Sequence, residues 1–418
     1  MDDRRACADT PSVQRPRPRP RVLLVLGALV FCVGWAIAAY LLLRTQVPPG
    51  LDLPKLDESE FFTSEQVAEA ERYDRISRIN WIFSSAALLI SLAAYARWGH
   101  HFTRESAAGR IGTGMLLAML GFAIVWLVQL PFGIAQLWWD RRHDVAQLDY
   151  FTWLVANWVD LASEFVFVSF AILVVMSIAG WLKDRWWILG APVFVLLALL
   201  AAFSATFLSF GAESLDDRRL EADVLALSTT LGVSEIPVRV EQVDTTNAAN
   251  AFAGGLGPSR RVILWNTLLD GRFGDGEVRV VLAHEFAHHS ENHIWKGVAW
   301  YALLALPGAY LIARLTRRRG GMREARAVPV ALLIFVALNV LAQPIDNVIS
   351  RRYEAEADWV ALQATREPEA ARALFQSFAD TALQDPTPPG WAFVWLDAHP
   401  TLLQRVAMAE AWEARFGP

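Results

Sequence analysis

Charge is scarce in this chain. Of its 418 residues, 19% are Asp, Glu, Lys or Arg and 54% are hydrophobic, against about 25% charged in soluble domains. That balance excludes an ordinary soluble globule and points to a bilayer. A basic excess is missing too. The net charge is -5 and the Arg clusters are local, so no nucleic acid is expected as a partner. Cysteine is nearly absent. Cys7 sits in a basic tail and Cys32 in an apolar run, which excludes a disulfide framework and a Cys-ligated zinc site. Histidine is sparse as well, yet four of the eight fall within AHEFAHHSENH, residues 283–293. Such crowding marks either a metal site or a polar helix face that happens to be His-rich.

Crossing a bilayer takes roughly 20 mostly apolar residues. Runs at 23–43, 81–95, 114–137, 161–181, 187–210, 298–315 and 328–341 qualify. The count is about seven, or six, since the second and the last are the shortest. The first run reads as an anchor, because its apolar core is too long for a signal peptide. Trp98, Trp138, Trp139, Trp181, Trp186 and Trp187 collect at run ends, as in an aromatic belt at headgroup level.

Orientation follows the Lys/Arg bias of short loops. The tail carries Arg4, Arg5, Arg15, Arg17, Arg19 and Arg21, and the loop between the last two runs carries Arg314, Arg317, Arg318, Arg319, Arg323 and Arg326. Seven spans place both on one side, which the bias makes cytoplasmic. The two polar segments then face the extracytoplasmic side. Asp160 and Glu164 are four apart and share a helix face. They line a polar path or, more plainly, sit at the mouth of a span beginning near Leu161.

The chain divides into a basic tail at 1–21, expected to be disordered, spans at 22–211, a polar segment at 212–297, two spans at 298–345 and a second polar segment at 346–418. In the first polar segment, Leu220, Val224 and Leu227 have helical spacing and Gly232 is a stop. Strands are expected from Pro237, at NAFAGG (250–255) and at RRVILW (260–265). A helix then begins near Asp275, whose carboxylate suits an N-terminus. The second polar segment opens with a helix over 350–366, breaks at DPTPPG (385–390) and ends in another helix.

His284-Glu285-Phe286-Ala287-His288 is an HExxH motif. On a helix its two imidazoles face one ion, and Glu285 points at the place of a water on that ion. Zinc needs a third protein ligand and an open fourth position. Glu354 and Asp358 lie four apart on one helix face and are the best pair. Glu354 would bind the metal and Asp358 would accept the N–H of a ligating His. The plainer reading of this acidic helix is an exposed charged face, which is where Glu356 is expected. His289 is turned about 100° from His288, and His293 is two and a half turns from His284, so neither is expected to be a ligand. His399, in DAHPTLLQR, is either a surface residue at a helix entry or a donor to the oxyanion formed when water attacks a carbonyl.

These blocks together resemble the type I CAAX prenyl protease family of integral membrane gluzincin metallopeptidases. HEFAH corresponds to the family's HExxH, and SRRYEAEAD (350–358) to its SRxxExxAD block. That block implies Glu354 as third zinc ligand and Asp358 behind it. NAFAGG with RRVILWNTLL corresponds to the edge strand and the strand before the zinc helix, which implies substrate contacts from Asn250, Ala251 and Phe252. AHP (398–400) with Arg405 corresponds to a late His-Pro block that binds the substrate or its oxyanion. The span count and the LPF at 130–132 also agree. Two features depart. Ala287 stands where the family has Gly, which a helix tolerates. The Arg distribution also puts the catalytic side opposite to that of eukaryotic members, and prenyl groups are attached in the cytosol.

The expected fold is therefore predominantly α and multi-span, with about seven transmembrane helices and a zincin-like α+β catalytic domain built from the two polar segments. The expected function is a membrane-embedded zinc metalloendopeptidase with one Zn2+ per chain, a peptide or protein substrate and the bilayer as partners. His284, His288 and Glu354 hold the metal. Glu285 is the base and His399 assists at the oxyanion. Alternatives are a heat-shock-type quality-control protease with the same chemistry, or a non-catalytic zinc-binding scaffold, against which an intact Glu285 argues.

Overall fold

The computed structural model describes residues 20–105, 108–204, 211–234 and 236–417. Cys7, the tail arginines through Arg19, the disorder expected there and the end of the fifth apolar run lie outside the described residues. The chain forms two units, residues 1–44 and 45–418. The first contains one described helix, α1 (Pro20–Leu42), whose residues Val30 and Tyr40 are exposed as on a helix meeting lipid.

In the second unit a short helix α2 (Glu58–Phe61) precedes three long apolar helices, α3 (Ser64–Trp98), α4 (Gly109–Arg142) and α5 (Tyr150–Leu182), and a shorter one, α6 (Trp187–Ser204). Two further apolar helices follow much later, α9 (His293–Leu315) and α10 (Val328–Thr365). Among the described residues, six helices including α1 are long and apolar enough to cross a membrane, and α6 is a shorter seventh. The second and last runs are not the short ones. They lie within helices of 35 and 38 residues. Hydropathy sees only the apolar part of each, while the backbone bonding continues through polar turns at 64–80 and 342–365. Asp160 and Glu164 are exposed and well inside α5, which starts at Tyr150 and not near Leu161.

Small residues let these helices approach closely. A Cβ on Gly114 would stand 2.2 Å from the Met176 sulfur, and one on Gly121 would stand 2.5 Å from Leu332. The buried cluster around them contains Tyr95, Leu117, Met176 and Val328.

The polar segments build a four-stranded sheet and its helices. The strands β1 (Glu213–Ser214), β2 (Val238–Glu241), β3 (Ala251–Gly254) and β4 (Arg261–Trp265) lie in the order β1-β2-β4-β3. β2 is parallel to β4, and β3 is antiparallel to it with Phe252 opposite Ile263. β3 is thus an edge strand. Gly255, which turns it toward β4, has φ +85° and a Cβ there would meet the Ser259 carbonyl. Helix α7 (Arg218–Thr230) is capped by Asp217 and stops before Gly232 at φ +69°. Helix α8 (Asp275–Ser290) begins where expected, with the Glu277 carboxylate accepting from the Gly274 N–H at 2.6 Å. Helices α11 (Pro368–Thr381), α12 (Gly390–Trp395) and α13 (Leu402–Phe416) complete the chain. Leu264, Leu282, Phe286, Trp359 and Phe375 form the core that holds α8 between the sheet and α10.

One expectation is corrected in a way that matters for the site. The stretch 350–366 is not a separate helix after the last span. It is the end of α10, which runs unbroken through Pro344.

Candidate active site

Two helices meet at the site. α8 is buried along Val278–Ala287 by its apolar residues, and this fixes its rotation. His284, Glu285 and His288 therefore face α10, where Glu354 and Asp358 are also buried. One ligand atom each from His284, His288 and Glu354 lies within 4.8 Å of the others. The two Nε2 atoms are 3.1 Å apart. Glu354 Oε2 is 3.2 Å from His284 Nε2, and Oε1 is 3.6 Å from His288 Nε2.

These separations fit a metal. Tetrahedral bonds of about 2.0–2.1 Å put ligand atoms about 3.3–3.4 Å apart, and the three distances bracket that value. The charge pattern agrees. Burial alone would lower the His284 imidazole, but its bonds to Asp358 and Glu354 outweigh it and raise it to about 10. Burial, and then His284 itself, push His288 down to about 3. The Asp358 and Glu354 carboxylates thus favour positive charge at the cluster.

The rest of the site is arranged around this cluster. His284 Nδ1 donates to Asp358 Oδ1 at 2.9 Å. Arg405, from α13, clamps Asp358 with two bonds of 2.8 and 2.6 Å. Arg405 is itself buried, so its guanidinium faces Asp358 and not an open groove. Burial raises the Glu285 carboxyl to about 7, with the charge of His284 and the N–H of Ala253 on β3 pulling the other way. The edge strand thus runs past Glu285, with Ala251 and Phe252 half-buried and Asn250 exposed just ahead of them. His399, in the turn before α13, is exposed with its Nε2 3.3 Å from Glu354 Oε2. His289 turns away and bonds the Arg261 carbonyl at 3.1 Å.

Two residues depart from the sequence reading. Glu356 is not on the surface: it is 1% exposed. His293 is not carried to the far side of α8. Asn292 takes a left-handed conformation, φ +59°, and ends α8, so that His293 starts α9 and returns to within 2.9 Å of His288. Asn is one of the few residues that visit that region readily, so SENH held the signal for this break.

Residues 214–413 match peptidase family M48. Along 391 residues it is 24% identical to an uncharacterized metalloprotease, YhfN, of Bacillus subtilis, covering 88% of this chain and 91% of that protein. It is 26% identical to a CAAX prenyl protease 1 homolog of Oryza sativa, covering 46% of this chain and 47% of that one. With a Protease HtpX homolog of Acidiphilium cryptum the identity is 32%, over 48% of this chain and 64% of that one. The fold is that of S. mikatae Ste24p, with a TM-score of 0.69 over 94% of this chain and 100% of the other at 18% identity. The enzyme is an integral membrane metalloendopeptidase, and its likeness is to the type I CAAX protease family.

Proposed function

We propose that this enzyme hydrolyses peptide bonds with one zinc ion held by His284, His288 and Glu354. The observation that carries the reading is the convergence of three ligand atoms beside a buried carboxylate, Glu285, whose neighbour is an edge strand. Bound zinc supplies Lewis-acid polarisation of a water and of the scissile carbonyl. Glu285 takes the proton released by the attacking water and passes it to the leaving amine, a task suited to a group titrating near neutrality. His399 lies on the open side of Glu354 and donates to the developing oxyanion. A substrate adds as a further strand on β3, held by main-chain bonds at Asn250, Ala251 and Phe252. Arg405 supports Asp358, and through it the His284 ring.

The arginines between α9 and α10 favour a cytoplasmic loop, which puts the catalytic part on the extracytoplasmic face. On that reading the substrates are unprenylated segments of membrane or exported proteins. The similarity to an HtpX homolog supports the related reading of a quality-control protease. A reporter fused after Pro418 decides the side, and cleavage of an unfolded membrane protein compared with a prenylated peptide decides the substrate. Purified Glu285→Gln protein tests the chemistry. It is expected to keep one zinc per chain and to lose about 10²–10⁴ of its rate. Near-normal turnover would remove the mechanism.

A further inference from the structure

The two imidazoles of the HExxH motif are supported differently. His284 reaches a carboxylate directly, through Nδ1 to Asp358. Among the described residues His288 Nδ1 meets no carboxylate; it meets His293 Nδ1 at 2.9 Å. The other nitrogen of His293 meets Glu356 Oε2 at 3.0 Å. Lys296 donates to the same oxygen at 3.2 Å, and the Gln46 N–H donates to Oε1. His293 is 5% exposed and its ring stacks on Tyr353 at 4.7 Å and 15°, so its plane is held.

Hydrogen-bond direction follows from these contacts. A Glu356 carboxylate facing three donors can only accept. His293 must therefore donate from Nε2. In the neutral ring this leaves Nδ1 as an acceptor. The partner at that acceptor is His288 Nδ1, which must then carry its hydrogen and donate. The lone pair of His288 Nε2 is thereby turned into the cluster, 3.1 Å from His284 Nε2.

We infer that His293 and Glu356 are positioning residues that fix the tautomer and ring plane of His288 for metal binding, by a carboxylate–histidine–histidine chain one member longer than the Asp358–His284 pair. The inference rests on the zinc reading above; His293 lies outside the HExxH and SRRYEAEAD motifs, and Glu356 lies inside the second at a position to which neither motif assigns a role. It predicts that removing the Nδ1 acceptor at position 293 weakens zinc, while removing only the link to Glu356 does less harm.

Two near-isosteric substitutions separate these. His293→Asn keeps an oxygen acceptor near the Nδ1 position and loses the donor to Glu356. His293→Gln keeps a donor near the Nε2 position and loses the acceptor for His288. Zinc affinity is measured on the full chain in detergent by competition with a chelator, alongside the melting temperature of the metal-free protein. His293→Gln is expected to bind zinc about 10–100-fold more weakly than the unsubstituted enzyme, the usual effect of losing an outer partner, and His293→Asn to recover most of that loss. His293→Phe, which keeps the stacked ring without either nitrogen, should match His293→Gln. A merely structural role gives the reverse order, because His293→Asn leaves buried Glu356 short of a donor. Affinity in His293→Gln equal to the unsubstituted value, or above that of His293→Asn, overturns the inference. Failure of the zinc reading itself looks different: the unsubstituted enzyme and Glu354→Ala would then bind zinc alike.

Discussion

The two helices that form the site are built in opposite ways. α8 is short and enclosed. Its ten residues from Val278 to Ala287 are buried, apart from the partly exposed Arg279, and it carries its chemistry in five consecutive positions. α10 is more than twice as long, and its character changes along its length. Phe335, Leu341 and Val348 are exposed apolar residues as on a membrane helix, whereas Tyr353, Glu354 and the turns up to Leu362 lie almost wholly inside the catalytic part. A self-contained motif can be recognised from its own letters. A ligand delivered on the end of a membrane helix depends on what that end is packed against.

This contrast can be broken at both ends. The largest effect is expected at the delivered ligand. Glu354→Ala should abolish cleavage and weaken zinc by more than the ~100-fold ascribed to an outer partner, read by metal analysis after dialysis. Retention of full zinc would mean that α8 alone holds the ion. Next is the clamp behind His284. Arg405→Ala leaves Asp358 buried and short of its bidentate partner, and should cost about 3–5 kcal/mol, measured as a fall in unfolding free energy of the detergent-solubilised enzyme. Arg405→Lys should recover only part, since an ammonium cannot reproduce the fork.

Smaller effects sharpen the comparison within one residue type. Leu282 on α8 is fully buried, while Leu341 on α10 is 66% exposed. Leu282→Ala should destabilise by about 2–5 kcal/mol, and Leu341→Ala by no more than about 0.5 kcal/mol. Equal losses would show that this part of α10 is covered. Smallest of all is Pro344→Ala in α10. The helix already continues through Pro344, so thermal stability and zinc affinity should change little. A large change would show that Pro344 sets the position of Glu354.

Much of the site was legible because its signals are local. The four-residue spacing of His284 and His288, and of Glu354 and Asp358, puts each pair on one helix face. NAFAGG was legible as a short strand from its own residues, while its place at the sheet edge beside β4 was implied by the resemblance. Helix α10 was not legible as one element. Hydropathy falls after residue 341 and a proline follows, and both cues mark an end only when no partner takes up the polar turns. Glu356 was misread for a related reason. It projects away from Glu354, and that face is exposed unless another element covers it. Here His293 and Lys296 from α9 and the backbone at Gln46 do so, and no spacing within α10 announces them. His293 was misplaced because ideal helical rotation was continued through Asn292, where a single left-handed residue restarts the count.

The distance in sequence between His284 and Glu354 has a consequence for synthesis. Seventy positions separate them, and two hydrophobic helices must be threaded into the lipid before the carboxylate can arrive. A chain emerging from the ribosome therefore passes its HExxH helix long before it owns a complete set of ligands. On the proposed ligand set, the metal centre is complete only once α10 is in place.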